Sequence, residues 1–236
     1  MKVVIDKSFL QGKCSEQLAL DQDRFDFVIT ESLLYEICKT KTRHRKSAAR
    51  KLLSLPNNVY YTSVAKVLAY EAETSVAFQA SQLSPQPPNI SLLEDLASNS
   101  NLTTEIYRSI ETTDRFYQDL YAAYIPHLEA WKNQTIESGI SAIRRSSAAN
   151  FPTHDIDNTW GTYSLIACLR YYAESIFSRY QPKKLYGNPP LRLLHDLIDL
   201  DYAVLAIVCG GIATRDKPLI NCLKNVCGKN HPEIIQ

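Results

Sequence analysis

The chain of 236 residues lacks any apolar run approaching the roughly 18 to 20 residues that a membrane-spanning helix needs, so no membrane partner is expected. Its opening, Met1-Lys2-Val3-Val4-Ile5-Asp6, has a short apolar run, an immediate charge and no small-residue cleavage site. That is not the pattern of a signal peptide, and a cytoplasmic location is expected. The six cysteines, at positions 14, 38, 168, 209, 222 and 227, include no C-x-x-C pair. This argues against a zinc ribbon and against a disulfide framework; the thiols read as reduced and buried. No G-x-G-x-x-G, Walker A or G-x-S-x-G pattern is present, so the common signatures of dinucleotide, P-loop and α/β-hydrolase sites are missing. Glycine is absent between Gly12 and Gly139, which favours long helices through the middle of the chain. The net charge of +1 says nothing of nucleic acid, and internal repeats are lacking.

What is present is an α/β pattern at the two ends. Residues 2–6 read as a short buried strand that stops at Asp6, with the β-branched composition of a strand covered on both faces. Residues 26–30 repeat the pattern. A helix follows from Glu31, with Leu33, Leu34, Ile37 and Cys38 at helical spacing and Thr30 as its N-cap. The middle reads as amphipathic helices, broken around Ser84–Pro88 and Asn99–Asn101, with a tyrosine-rich helix from Trp160 to Tyr180. Near the end, Leu193 to Val208 reads as a helix that becomes almost wholly apolar from Ala203. Gly210-Gly211 ends it, Ile212-Ala213-Thr214 forms a short strand, and Pro218 opens a last helix. The expected organisation is an α/β core made of residues 1–56 and 185–236, with a mainly helical insertion, 57–184, packed on it.

In open α/β sheets, sites lie outside the carboxyl ends of the strands. Asp6 ends the first strand, Asp216 follows the last, Glu36 lies on the helix after the second, and Asp199 and Asp201 lie near the start of the helix that feeds the last. Carboxylates gathered at one sheet edge repel each other unless protonated or neutralised by cations. Carboxylate-rich sites suit hard divalent ions such as Mg²⁺ or Mn²⁺, whose usual chemistry is water activation and charge neutralisation at a phosphodiester.

Three segments resemble the motifs of the PIN-domain family in order. Val4-Ile5-Asp6-Lys7-Ser8-Phe9-Leu10 resembles its opening, Val28 to Ile37 its second motif with Glu36 as the helical acid, and Ile212-Ala213-Thr214-Arg215-Asp216-Lys217 its last. The matches cover roughly residues 1–38 and 193–220. The resemblance implies an α/β/α sandwich with a short, mostly parallel sheet, here with a large inserted helical lobe. It implies metal-dependent nuclease activity, RNA first and DNA second, in a family that includes toxins of toxin–antitoxin pairs. It also implies that Asp6, Glu36, a helical Asp and Asp216 are metal ligands, supported by the hydroxyls of Ser8 and Thr214. Asp199 and Asp201 are two apart, so they diverge by about 200° on a helix; both are candidates, and the family's spacing to the last Asp favours Asp199. An inhibitory or effector protein partner is implied by the same analogy. The alternatives are a non-catalytic PIN-like module that binds nucleic acid or protein, and a phosphohydrolase acting on a small nucleotide.

From Lys39 to Lys51 the chain is strongly basic, and no acid occurs between Glu36 and Glu71. Arg43, Lys46 and Arg50, with Arg45 beside them, read either as a solvated helix face or as a stripe gripping the phosphates of RNA or single-stranded DNA. On the second reading the stripe lies at the end of the helix that carries Glu36. Arg144-Arg145 is a weaker candidate. Tyr60, Tyr61, Tyr171 and Tyr172 read as packing residues before base-stacking ones. His154-Asp155-Ile156-Asp157 reads as loop capping before metal binding, His195 as structural, and Glu31 and Asp196 as surface residues.

Overall fold

The computed structural model of the chain describes residues 1–13, 18, 21, 24–55, 59–85, 90–146, 156–180 and 191–236. Cys14, His154 and Asp155 lie outside the described residues, as does the side chain of Arg144.

Five short strands form one sheet: β1 (Lys2–Ile5), β2 (Asp26–Thr30), β3 (Tyr60–Thr62), β4 (Gly211–Ala213) and β5 (Glu233–Ile235). Their order is β3-β2-β1-β4-β5, and every pairing of neighbours is parallel. Val3, Val4 and Ile5 are all fully buried. Successive strand residues point to opposite faces, so both faces of the sheet are covered. The chain runs outward from β1 through β2 to β3, then returns to lay β4 on the other side of β1. The strand order therefore reverses between β1 and β4, the place where open α/β sheets keep their crevice.

The helices are α1 (Lys7–Gly12), α2 (Glu31–Lys39), α3 (Thr42–Leu53), α4 (Val64–Thr74), α5 (Ile90–Ser98), α6 (Thr104–Tyr124), α7 (Leu128–Asn133), α8 (Ile136–Ser146), α9 (Gly161–Arg179), α10 (Leu191–Cys209) and α11 (Lys217–Cys227). Among the described residues none is long and apolar enough to cross a membrane. The central helix is α10. It packs on β1 and β4 and touches α2, α4, α6, α9 and α11. This is why the sequence from Tyr202 to Ala206 is apolar on every side: all five residues are fully buried. Gly210, at φ +86°, turns the chain from α10 into β4, a conformation that glycine adopts without steric cost.

The sheet extends past residue 56, where the sequence reading closes the first core segment. β3 begins at Tyr60 and pairs with β2 from Val28↔Tyr60 to Thr30↔Thr62. Tyr60 and Tyr61 are strand residues packed under Lys2 and Lys66, whose ammonium groups stand 4.2 and 4.6 Å from the two rings. The helical region is continuous with the sheet's core: one apolar cluster runs from Val3 and Val28 through Leu93, Ile106, Tyr117 and Tyr124 to Leu205. Ile140, Ile156, Trp160 and Ile166 form a smaller satellite.

One buried acid holds this region together. Glu71, on α4, is fully buried. It accepts hydrogen bonds from the backbone N–H groups of Phe78 (3.1 Å), Gly161 (2.6 Å) and Thr162 (2.9 Å), and from the Thr162 hydroxyl (2.8 Å). Two of those N–H groups open α9, so the carboxylate satisfies donors the helix cannot and sits at the positive end of its dipole. Glu71→Ala leaves several buried donors unpaired, at about 1–3 kcal/mol each. We expect urea denaturation to show a loss of roughly 3 kcal/mol or more, with Glu71→Gln in between. A loss under about 0.5 kcal/mol, the range of ordinary surface substitutions, would contradict this role.

Candidate functional site

The site is built from four segments that meet at the carboxyl ends of β1, β2 and β4. Asp6 follows β1 directly, and its N–H donates to the Ala213 carbonyl at 3.0 Å, extending the β1–β4 ladder by one bond. Its side chain is buried. The Thr214 hydroxyl donates to Asp6 Oδ2 at 2.6 Å, and the Ser8 hydroxyl donates to the same oxygen. The two hydroxyls lie 3.3 Å apart. Both are held in turn by backbone: Ser8 Oγ accepts from Arg215 N–H (2.9 Å) and Thr214 Oγ1 from Asp216 N–H (3.0 Å). Burial pushes the Asp6 carboxyl above the usual aspartate range, with the Glu36 charge adding to it, while the bonds from Ser8 and Thr214 act against the rise. Ser8 and Thr214, read from the sequence as supporting hydroxyls, therefore orient Asp6.

Glu36 is buried on α2, which Thr30 caps through its side chain (Leu33 N–H to Thr30 Oγ1, 3.0 Å). Its two oxygens have different partners. Tyr202 donates its hydroxyl to Oε2 at 2.9 Å, and the Lys7 ammonium donates to Oε1 at 2.5 Å. Asp216 is the N-cap of α11, with Oδ1 accepting from Leu219 N–H at 3.1 Å. The cap fixes its carboxylate just past the end of β4.

The two α10 acids diverge, as their spacing predicts. Asp199 stands within electrostatic reach of the others: burial and then the charges of Asp216, Asp6, Glu36 and Asp196 push its carboxyl well above the usual range. Asp201 faces away from this group. Its Oδ2 accepts from Ser32 Oγ (2.7 Å) and Tyr117 OH (2.9 Å), so it ties α10 to α2 and α6. Asp201, a site candidate from the sequence, is thus engaged as a half-buried contact between three helices. Tyr202 and Lys7 were not singled out from the sequence. Tyr202 had a signal, because a residue three after Asp199 shares its helix face; Lys7 had only its place beside Asp6.

Several peripheral readings also change. The chain breaks at Thr40, so the basic residues lie on α3 rather than on the helix that carries Glu36. Arg45 is buried, and its guanidinium donates to the Ser100 carbonyl at 2.7 Å. Lys46 donates to the Ser98 carbonyl (2.8 Å) and Arg50 to that of Ala97 (3.4 Å). These three side chains satisfy carbonyls at and just beyond the C-terminus of α5, where cations are favoured by the helix dipole. For Arg45 this replaces the phosphate-binding reading. Arg43 is exposed, and lines a shallow groove with Lys46, Ser47, Arg50 and Lys51. Asp196 is buried and paired with Arg179 at 2.7 Å, not on the surface. Asp157 caps its own loop, accepting from the N–H and hydroxyl of Thr159.

Which residues could hold a cation follows from this geometry. Asp6, Glu36, Asp199 and Asp216 offer only carboxylate oxygens, the donors that Mg²⁺ and Mn²⁺ take. Among the described residues no three acids, histidines or cysteines are gathered closely enough to form a ready-made cage. Mg²⁺ does not require one, since it commonly binds one or two carboxylates and keeps several waters. The donor set fits a hydrated divalent ion rather than a closed structural site. Comparison with protein-family models, with curated proteins and with solved structures gave no match.

The divergence of Asp199 and Asp201 gives a pH test. The Asp201 carboxyl is pushed from the ordinary 3.8 up to about 6, mainly by burial. The folded state therefore keeps this proton to higher pH than the unfolded chain does. The group's contribution to stability falls as pH rises from about 4 through about 6, and is constant above. Asp201→Asn, which cannot ionise, should gain about 1–3 kcal/mol relative to wild type at pH 7 compared with pH 4, measured by urea denaturation in EDTA. An identical difference at both pH values would contradict the assignment.

Proposed function

We propose that the chain is a PIN-like, metal-dependent nuclease that hydrolyses phosphodiester bonds, with RNA as first substrate and single-stranded DNA as second. The observation that carries this reading is Asp199: desolvation and then four carboxylates push it up, three of which, Asp216, Asp6 and Glu36, come from both ends of the chain and lie at the reversal point of a parallel sheet. A fold gains no stability from such mutual repulsion, so the arrangement calls for a cation. The order of motifs around Asp6, Glu36 and Asp216 supports the PIN-like assignment, and so does a five-stranded parallel sheet covered on both faces.

Asp6, Glu36, Asp199 and Asp216 would hold Mg²⁺ or Mn²⁺. When bound, such an ion lowers the pKa of its water and neutralises charge on the phosphodiester. The chain's own residues do the rest. Ser8 and Thr214 fix the rotamer of Asp6, Tyr202 fixes Glu36, and the Leu219 amide fixes Asp216. Preorganised acids of this kind need no rearrangement when charge develops. A toxin or defence role, with an inhibitory protein partner, follows from the family analogy alone.

The test is incubation of labelled RNA and single-stranded DNA with Mg²⁺ or Mn²⁺. Asp6→Asn and Asp199→Asn should each lose more than the roughly 10–100-fold that loss of an outer-sphere partner costs, and Thr214→Ala should lose about that much. Asp201→Asn should cleave like wild type. Cleavage of neither polymer by the wild type would favour the non-catalytic module. Equal loss in Asp199→Asn and Asp201→Asn would remove the assignment of Asp199.

A further inference from the structure

One cation already stands among these acids, and it is part of the chain. We propose that Lys7 is a tethered counter-cation of the acidic site, one that neutralises Glu36 in the metal-free protein and has to leave that carboxylate before a divalent ion can use it. The inference rests on the divalent-ion reading above and concerns what the ion competes with.

The geometry gives the two partners unequal freedom. Glu36 is held at both ends: its backbone lies in α2, and its Oε2 takes the Tyr202 hydroxyl, from a fully buried residue of α10. Lys7 is fixed only at its backbone, as the first residue of α1 directly after Asp6. Its side chain is 25% exposed against 9% for Glu36, so it has a route to solvent that the glutamate does not. Lysine carries a compact point charge on a flexible four-carbon stem, well suited to swing from one anion to another. If the pair opens, the lysine moves and the glutamate stays.

The charges explain why a lysine belongs here. Asp6 and Glu36 are both buried here, at the end of β1 and on the helix after the neighbouring β2, with Asp216 following β4. An ammonium on one of them relieves repulsion without an ion. It also occupies Oε1 of Glu36, which accounts for a donor set of the right chemistry that is not drawn into a cage. A divalent ion and an ammonium on one carboxylate repel each other, so binding of the ion and release of Lys7 are coupled. The released ammonium, anchored beside Asp6, is then placed to meet the phosphate of a bound strand, a contact that positions the backbone without reading sequence.

The experiment is equilibrium binding of Mn²⁺, followed by the electron paramagnetic resonance signal of the free ion, to the full chain and its variants. Lys7→Met keeps the stem and removes the charge; Lys7→Gln is a second neutral variant, and near-ultraviolet circular dichroism reports that each is folded. We expect both to bind Mn²⁺ about tenfold more tightly than wild type, and Lys7→Arg to bind like wild type. Binding by the neutral variants where wild type shows none would support the inference equally. If wild type binds Mn²⁺ and the folded neutral variants bind no more tightly, Lys7 is an ordinary ion-pair residue and the inference fails while the metal reading stands. If neither wild type nor the neutral variants bind, and Asp199→Asn is no different, the metal reading itself fails and takes this inference with it.

Discussion

The parallel pairing of β1 with β4 is the constraint from which the rest follows. Val4 lies beside Ile212 and Ile5 beside Ala213, and the Asp6 amide adds a further bond to Ala213. These few contacts bring residues 6 and 216 to one edge, although nearly the whole chain lies between them. Closing so long a loop is less costly than its length suggests, because the entropy grows only logarithmically. What offsets it is α10, which packs on both strands and is buried on every side from Tyr202 to Ala206. The register is equally strict. A slip of one residue would turn Thr214 to the opposite face and leave Asp6 without the hydroxyl that holds it.

Two acids, the buried Glu71 and the half-buried Asp199, are treated very differently by this fold. Glu71 takes donors from Phe78, Gly161 and Thr162, so its cost of burial is offset locally. Asp199 is surrounded by charges of its own sign. Lys7 and Tyr202 relieve Glu36, and Ser8 and Thr214 relieve Asp6, yet the net arrangement remains acid-rich. Stability given up at one place and held elsewhere is the usual mark of a working site.

Much of this was legible in the residues because it depends on local chemistry. The β-branched run before Asp6, the Thr30 cap, the apolar stretch after Ala203 and the Gly210 turn each dictate their element over a few residues. The angular argument that separates Asp199 from Asp201 needs only helix geometry. What stayed hidden depends on tertiary partners. β3 and β5 contribute three residues each, too few for a period to show, and Tyr60-Tyr61 and Ile234-Ile235 become strands only because β2 and β4 offer edges. Arg45 read as part of a solvated face or a phosphate grip because its partner is a backbone carbonyl beyond α5, some fifty residues away in sequence, which no side-chain pattern reveals. Asp196 looked solvated for the same reason: Arg179, its partner, is on another helix.

The central claim is that Asp6, Glu36, Asp199 and Asp216 share one divalent cation. Crystals soaked in Mn²⁺ and measured at a wavelength where manganese scatters anomalously test it most directly. The account predicts an anomalous peak at the carboxyl ends of β1 and β4, about 2.0–2.6 Å from oxygens of at least one of these acids and with water completing its shell. A soaked crystal that shows no peak there, or whose only peak lies on another surface with Lys7 still seated on Glu36, would contradict it.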